Sequence, residues 1–255
     1  MDLSNLPTPM FFAHRGACAY APENTIPAFL LALEQGAIAI ELDVKLTGDG
    51  EVVVLHDQTV NRTSNGKGDL RNYSFSQLKR LNANSGFEDQ YPKTQIPTLA
   101  EVFEAVGPEI WINIELTNYA SPQDDLVVKV VKLIRQTNRH PRVLFSSFNP
   151  ITLRKAMSLA LEIPAGLLAS PGLSGLVARR YLPQLMTCQA IHPYSTDVTV
   201  SLIKSAHFAG RRVHCWTVND EELMTALFKL GVDAVFTDDP ILAGHCLKGL
   251  DVLVK

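Results

Sequence analysis

Two short segments hold most of the side chains that could do chemistry. AHRG at 13–16 sets His14 beside Arg15, and ELDVKL at 41–46 spaces Glu41, Asp43 and Lys45 at alternate positions. His56-Asp57 follows, and WINIEL at 111–116 repeats the alternation with Asn113 and Glu115. On a strand, alternate side chains share one face. Ile40, Leu42, Val44, Ile112 and Ile114 therefore occupy the opposite faces, which suit packing against helices. Glu41, Asp43 and Glu115 must then converge on the inner side. Two like charges ~4 Å apart repel by about 4 kcal/mol at an effective dielectric of ~20. Such acids are protonated, pair with Arg15 and Lys45 as a buried ion network, or hold a cation. An all-carboxylate set selects a hard ion, Mg2+ or Ca2+, whereas zinc favours histidine or cysteine. His14 and His56 flank the acids. A reference pKa of about 6.5 lets one act as acid and the other as base near neutrality. The planar donor fork of Arg15 suits a phosphate.

These residues need strands to position them. β-branched runs near 11–14, 37–46, 111–116, 142–147, 164–168, 189–192, 212–217 and 233–237 alternate with helical spacing. The helices fall near 25–35, 98–106, 123–137, 150–160, 173–180, 199–209, 220–230 and 240–246. Asn149-Pro150 and Asn219-Asp220 mark helix starts, and Gly36, Gly210 and Gly231 mark stops. A regular βα alternation predicts an α/β fold, a (β/α)8 TIM barrel, with 1–255 as a single domain. A doubly wound sheet is the weaker alternative, because no G-x-G-x-x-G follows the first strand. GDG at 48–50 predicts a hairpin that returns as VVVLHD, and about 58–97 reads as a small insertion after strand two. In such barrels chemistry sits at the C-terminal ends of the strands, where His14, Arg15, Glu41, Asp43, His56 and Glu115 all fall.

Composition narrows the partners. The net charge is −3 and no basic stripe is present, which excludes nucleic acid. Cys18, Cys188, Cys215 and Cys246 are scattered without C-x-x-C, which argues for free thiols in a reducing compartment. No secretory signal pattern and no membrane span is visible, so a cytoplasmic protein is expected. A homodimer is the commonest soluble oligomer, although no interface pattern marks one.

The motifs together resemble the glycerophosphodiester phosphodiesterase family. AHRG at 13–16, APENT at 21–25, ELDVKLTGDG at 41–50, VVLHD at 53–57 and RTSNGKG at 62–68 carry the first half of the resemblance. IPTLAEVF at 96–103, NIEL at 113–116, SSF at 146–148, WTVN at 216–219 and GVDAVFTDDP at 231–240 carry the rest, in family order. The resemblance implies metal-dependent hydrolysis of a small-molecule glycerophosphodiester to an alcohol and glycerol 3-phosphate. It implies Glu41, Asp43 and Glu115 as ligands of a divalent cation, His14 and His56 as the acid/base pair, and Arg15 on the phosphate. Trp216 would line the substrate pocket, with Phe148 and His192 as further candidates at the mouth.

One departure stands out. The family usually has a lysine two residues beyond the last glutamate, where this chain has Thr117. Lys45, on the face shared with Asp43, is the expected partial replacement. His140, His207, His214 and His245 fall in helices, loops or outward strand positions and read as surface or packing residues. Two alternatives remain: a lysophospholipase D-type enzyme acting on lysolipids, and a non-catalytic binding barrel.

Overall fold

The computed structural model describes residues 3–253. Met10–Ala13 (β1) turns into Ile26–Glu34 (α1), and Ala39–Leu46 (β2) folds back as Val52–Val54 (β3). Phe75–Leu78 (α2) and Leu99–Val106 (α3) precede Trp111–Leu116 (β4). Strands and helices then alternate: Leu126–Gln136 (α4), Val143–Ser147 (β5), Pro150–Leu159 (α5), Ala165–Ala169 (β6), and Gly172–Arg180 (α6) with Leu182–Leu185 (α7). Ala190–Pro193 (β7), Val200–Phe208 (α8), Arg212–Cys215 (β8), Glu221–Leu230 (α9), Ala234–Thr237 (β9) and Pro240–Leu253 (α10) complete the order.

The sheet runs β1-β9-β8-β7-β6-β5-β4-β2-β3, and β1 also pairs with β2. Every strand but β3 is parallel to its neighbours, so eight strands close the expected TIM barrel. β3 is the returning arm of the hairpin, antiparallel to β2 with Lys45 opposite Val53. The helix starts have local causes. Asn149 accepts a hydrogen bond from Ile151 N ahead of Pro150, and Asp220 accepts one from Leu223 N. Gly231 closes α9 at a left-handed φ of 99°. Helix α10 runs to Leu253, well past the expected 246.

Register sets the site. Glu41 lies opposite Asn113 and Asp43 opposite Glu115, so Asp43 and Glu115 share one level of the barrel and Glu41 lies on the same face two residues before Asp43. The tight turn after β1 depends on Gly16, whose φ is +86° and whose absent Cβ would lie 2.6 Å from the Ala28 carbonyl carbon. A large core packs between strands and helices, and a second cluster under 53–96 anchors the insertion on Val53, Val60, Leu70 and Leu78. Below the acids, the barrel is filled by Met10, Phe12, Trp111, Leu144 and Phe236, with Leu3 and Leu6 joining from the N-terminal segment.

Two histidines lie in that filling, contrary to the sequence reading. His192 is not at the mouth and His214 does not face outward; both are 0% exposed. Their rings stack at 5.0 Å, against Phe12 and Phe236. His214 shares a strand face with Trp216, so period-two counting from that inward tryptophan accounts for its direction. Gly166 makes room for the His192 ring, since a Cβ there would sit 2.2 Å from Nε2. Among the described residues no ring nitrogen of either histidine has a hydrogen-bond partner. Burial pushes His192 down to about 3 and His214 well below its ordinary value.

Both groups fold as neutral rings yet titrate near 6.5 when unfolded, so the unfolded chain binds more protons below that pH. Stability is therefore complete above about pH 6.5 and falls progressively toward pH 3, by up to about 1.4 kcal/mol per pH unit for each ring. His214→Phe should flatten the slope of urea-unfolding midpoints between pH 7 and pH 5. An unchanged slope would show that these rings do not set acid stability.

Candidate active site

The carboxylates converge as their spacing requires. Ligand atoms of Glu41, Asp43 and Glu115 lie within 4.8 Å of one another, with Glu41 2% and Asp43 1% exposed. Burial, together with the charges of Asp43 and Glu115, raises Glu41 well above the usual carboxylate range. Burial and Asp43 push Glu115 up to about 8. Glu41 Oε1 is buried without a partner, while Oε2 accepts the Arg15 backbone N–H at 3.0 Å. Asp43 accepts from Asn24 Nδ2 at 2.9 Å, and Glu115 accepts from the Tyr119 hydroxyl. An all-oxygen set of mutually repelling acids with one unspent buried oxygen fits a hard divalent cation.

The two histidines are held alike. His14 Nδ1 lies 2.6 Å from Asp238 Oδ1, and His56 Nδ1 lies 2.7 Å from Asp57 Oδ1. A carboxylate on Nδ1 fixes the ring and leaves Nε2 for a reacting oxygen. Burial works against the Asp238 charge, but the hydrogen bond and charge of His14 bring it down to about 2. Hydrogen bonds from Arg62 hold Asp57 well below its ordinary range. Arg62 grips Asp57 through Nε at 2.8 Å and Nη2 at 3.0 Å, and also donates to both oxygens of Glu23. Glu23 in turn accepts from Arg15 Nη1 at 2.9 Å, and Arg15 Nε lies 3.4 Å from Asp43. Alternating charges thus run from the acid cluster to His56.

A cavity of about 100 Å3 is lined by His14, Arg15, Glu41, His56 and Glu115 on its polar side. Phe148, Leu168, Trp216 and Phe236 form its apolar side. Trp216 and Phe148 lie where the sequence reading placed them; they meet edge to face at 5.2 Å, and Trp216 Nε1 donates to the His192 carbonyl. Lys45 lies elsewhere. Its Nζ donates to Thr117 O and Oγ1 at 3.0 and 2.8 Å, and it borders a neighbouring cavity. Ser146 is buried and accepts from Asn113 Nδ2 at 2.8 Å.

The sequence reading missed the supporting shell: Glu23, Asn24, Asp57, Arg62, Tyr119 and Asp238. Five of these lie inside quoted motifs, APENT, VVLHD, RTSNGKG and GVDAVFTDDP, so their presence was visible but their partners were not. Tyr119 sits in a loop with no pattern to mark it.

Known proteins resemble this chain in sequence and in fold. A model of the glycerophosphoryl diester phosphodiesterase family matches residues 14–242. The glycerophosphodiester phosphodiesterase of Caldanaerobacter subterraneus subsp. tengcongensis is 38% identical over 91% of this chain and 94% of its own length. A phosphodiesterase from Oleispira antarctica, solved with the product sn-glycerol-3-phosphate, superposes with a TM-score of 0.85 at 31% identity, covering 94% of this chain and 97% of that one. A glycerophosphodiester phosphodiesterase from Agrobacterium tumefaciens gives a TM-score of 0.80 at 27% identity, over 93% and 99% of the two chains.

Cation addition to chelated protein should raise its thermal midpoint, with about 2.7 kcal/mol gained at 100 times the dissociation constant. Glu115→Gln should remove most of that gain. Below pH 8 the cation displaces a proton from Glu115, so affinity should strengthen as pH rises toward about 8. Thermal shifts at pH 6, 7 and 8 with Mg2+ and with Ca2+ check both. Equal shifts in the variant would remove Glu115 from the cation site.

Proposed function

The chain belongs to the glycerophosphoryl diester phosphodiesterase family, and we propose that it hydrolyses glycerophosphodiesters to an alcohol and glycerol 3-phosphate by two-histidine acid/base catalysis with a divalent cation. The observation that carries this reading is the pair of carboxylate-anchored imidazoles bordering one cavity with Arg15 and the acid cluster. Glu41, Asp43 and Glu115 would hold the divalent cation, which would supply positive charge to offset that of the phosphoryl group. Arg15, fixed by Glu23, adds N–H donors to the same anion. One histidine removes the proton of the attacking oxygen, from water or from the adjacent glycerol hydroxyl. The other protonates the departing alkoxide, and each transfer is worth about 10²–10⁴-fold. Asp57 and Asp238 hold the rings in place and stabilise the imidazolium as it forms.

Trp216 and Phe148 offer the glycerol carbons an apolar wall. Lys45 bonds Thr117 rather than a carboxylate, and its ammonium stays near enough to Asp43 and Glu115 to offset part of their charge. Its ammonium lies against Thr117, the position of the missing family lysine, and both residues border the second cavity. The lysolipid alternative fits poorly, because a cavity of about 100 Å3 suits a three-carbon group and not an acyl chain. Among the described residues no helix is long and apolar enough to cross a membrane. The four cysteines are free thiols, in keeping with a cytoplasmic setting.

Chelated protein should release no glycerol 3-phosphate from glycerophosphoethanolamine, and Mg2+, Ca2+ or Mn2+ should restore release. His14→Ala and His56→Ala should each lower kcat by about 10²–10⁴-fold while keeping the cation-dependent thermal shift. Absence of product with every cation would sink the hydrolase reading.

A further inference from the structure

Beside the catalytic cavity lies a second one of about 300 Å3, at the lower end of the size of ligand pockets. The two share His56 alone among their lining residues. One wall comes from the insertion, through Gln58, Asp69 and Arg71, and the other from the loop after β4, through Thr117, Tyr119 and Ser121. A phosphodiester has two organic halves. The smaller cavity has room for the glycerol phosphate half, with His14, Arg15 and the acids around it. Its other half needs a site of its own, and the neighbouring cavity opens at His56, one of the two acid/base histidines.

Resting on the hydrolase reading above, the geometry points to this second cavity as the site of the leaving alcohol, and to an uncharged polyhydroxylated alcohol as the class it takes. The walls mix donors and acceptors at close quarters. Lys45 gives two hydrogen bonds to Thr117 and keeps a third N–H. Arg71 commits its Nη2 to Asp124, and its remaining guanidinium N–H groups have no side-chain partner among the described residues. Gln58 donates to Asp69 at 2.9 Å through Nε2 and keeps its carbonyl oxygen as an acceptor. Asp69 forms no ion pair among the described residues, so its carboxylate has lone pairs to spare. A polyol offers a donor and an acceptor at each hydroxyl and meets both kinds of wall.

Net charge decides against the main competitor. Lys45 and Arg71 balance Asp57 and Asp69, so the lining carries no excess negative charge to draw a cation. A quaternary ammonium needs aromatic faces free of other cations. The ring available is that of Tyr119, and the Lys45 ammonium already lies 5.9 Å from its centroid. A trimethylammonium group has no N–H or O–H to offer and would leave the hydroxyl-binding groups unpaired.

The test compares kcat/KM for glycerophosphoinositol and glycerophosphoglycerol with that for glycerophosphocholine, using the cation-loaded enzyme. The polyol esters should be better substrates by about tenfold or more. Gln58→Leu should narrow that ratio. Ser121→Trp, which narrows the second cavity, should lower kcat/KM for the polyol esters by about tenfold and leave inhibition by glycerol 3-phosphate unchanged. A choline ester that is equal or better overturns the inference, as does a Ser121→Trp enzyme whose inhibition by glycerol 3-phosphate weakens in step with kcat/KM. Should Ser121→Trp fail to fold, the substrate ratio in the unaltered enzyme and its change in Gln58→Leu decide the matter. No turnover of any ester with any cation would be a failure of the hydrolase reading itself, and is recognised as such by the absence of all product.

Discussion

Three carboxylates forced together at low dielectric are the constraint around which this molecule is organised. Glu41, Asp43 and Glu115 cannot all stay charged there unaided, and Glu41 and Glu115 are both pushed upward as a result. Everything near them supplies positive charge or N–H and O–H donors. Asn24 donates to Asp43, the Arg15 backbone donates to Glu41, and Tyr119 donates to Glu115. A divalent cation bound there would relieve a repulsion the fold has already imposed.

The insertion after β2 extends that electrostatic order outward. Its Arg62 ties Asp57 to Glu23, and through Glu23 to Arg15. A side chain from a surface loop thereby orients the anchor of His56 and the Arg15 guanidinium together. The insertion has its own apolar cluster, so the loop that carries Arg62 is backed by packing rather than by the ion pairs alone. An exposed pair adds little to stability, and positioning is the more valuable result here.

Below the acids the barrel changes character. Phe12, Phe236, Trp111 and Leu144 fill it, and the neutral His192–His214 stack adds volume without charge. This dry floor keeps the dielectric low beneath the carboxylates and strengthens every interaction above it. Gly166 shows how tightly the floor is fitted, since a single added methyl would collide with the His192 ring.

Much of this was legible in the chain itself. Period-two alternation in AIELDVKL and WINIEL determined which residues turn inward, because strand geometry leaves no other choice. The βα rhythm determined the barrel, and GDG determined the hairpin. The order of short motifs along the chain pointed to the family and to both histidines. Only the tertiary structure decided the partners. Asp238 meets His14 across nearly the whole chain, and Arg62 meets Glu23 between elements whose spacing no local rule connects. Lys45 showed the limit most clearly. Its strand face was readable, but its long side chain chose Thr117 over the acids, a choice set by burial and by the loop beyond β4. Local periodicity fixes the direction of a Cβ; where a flexible side chain ends depends on neighbours that folding brings from elsewhere.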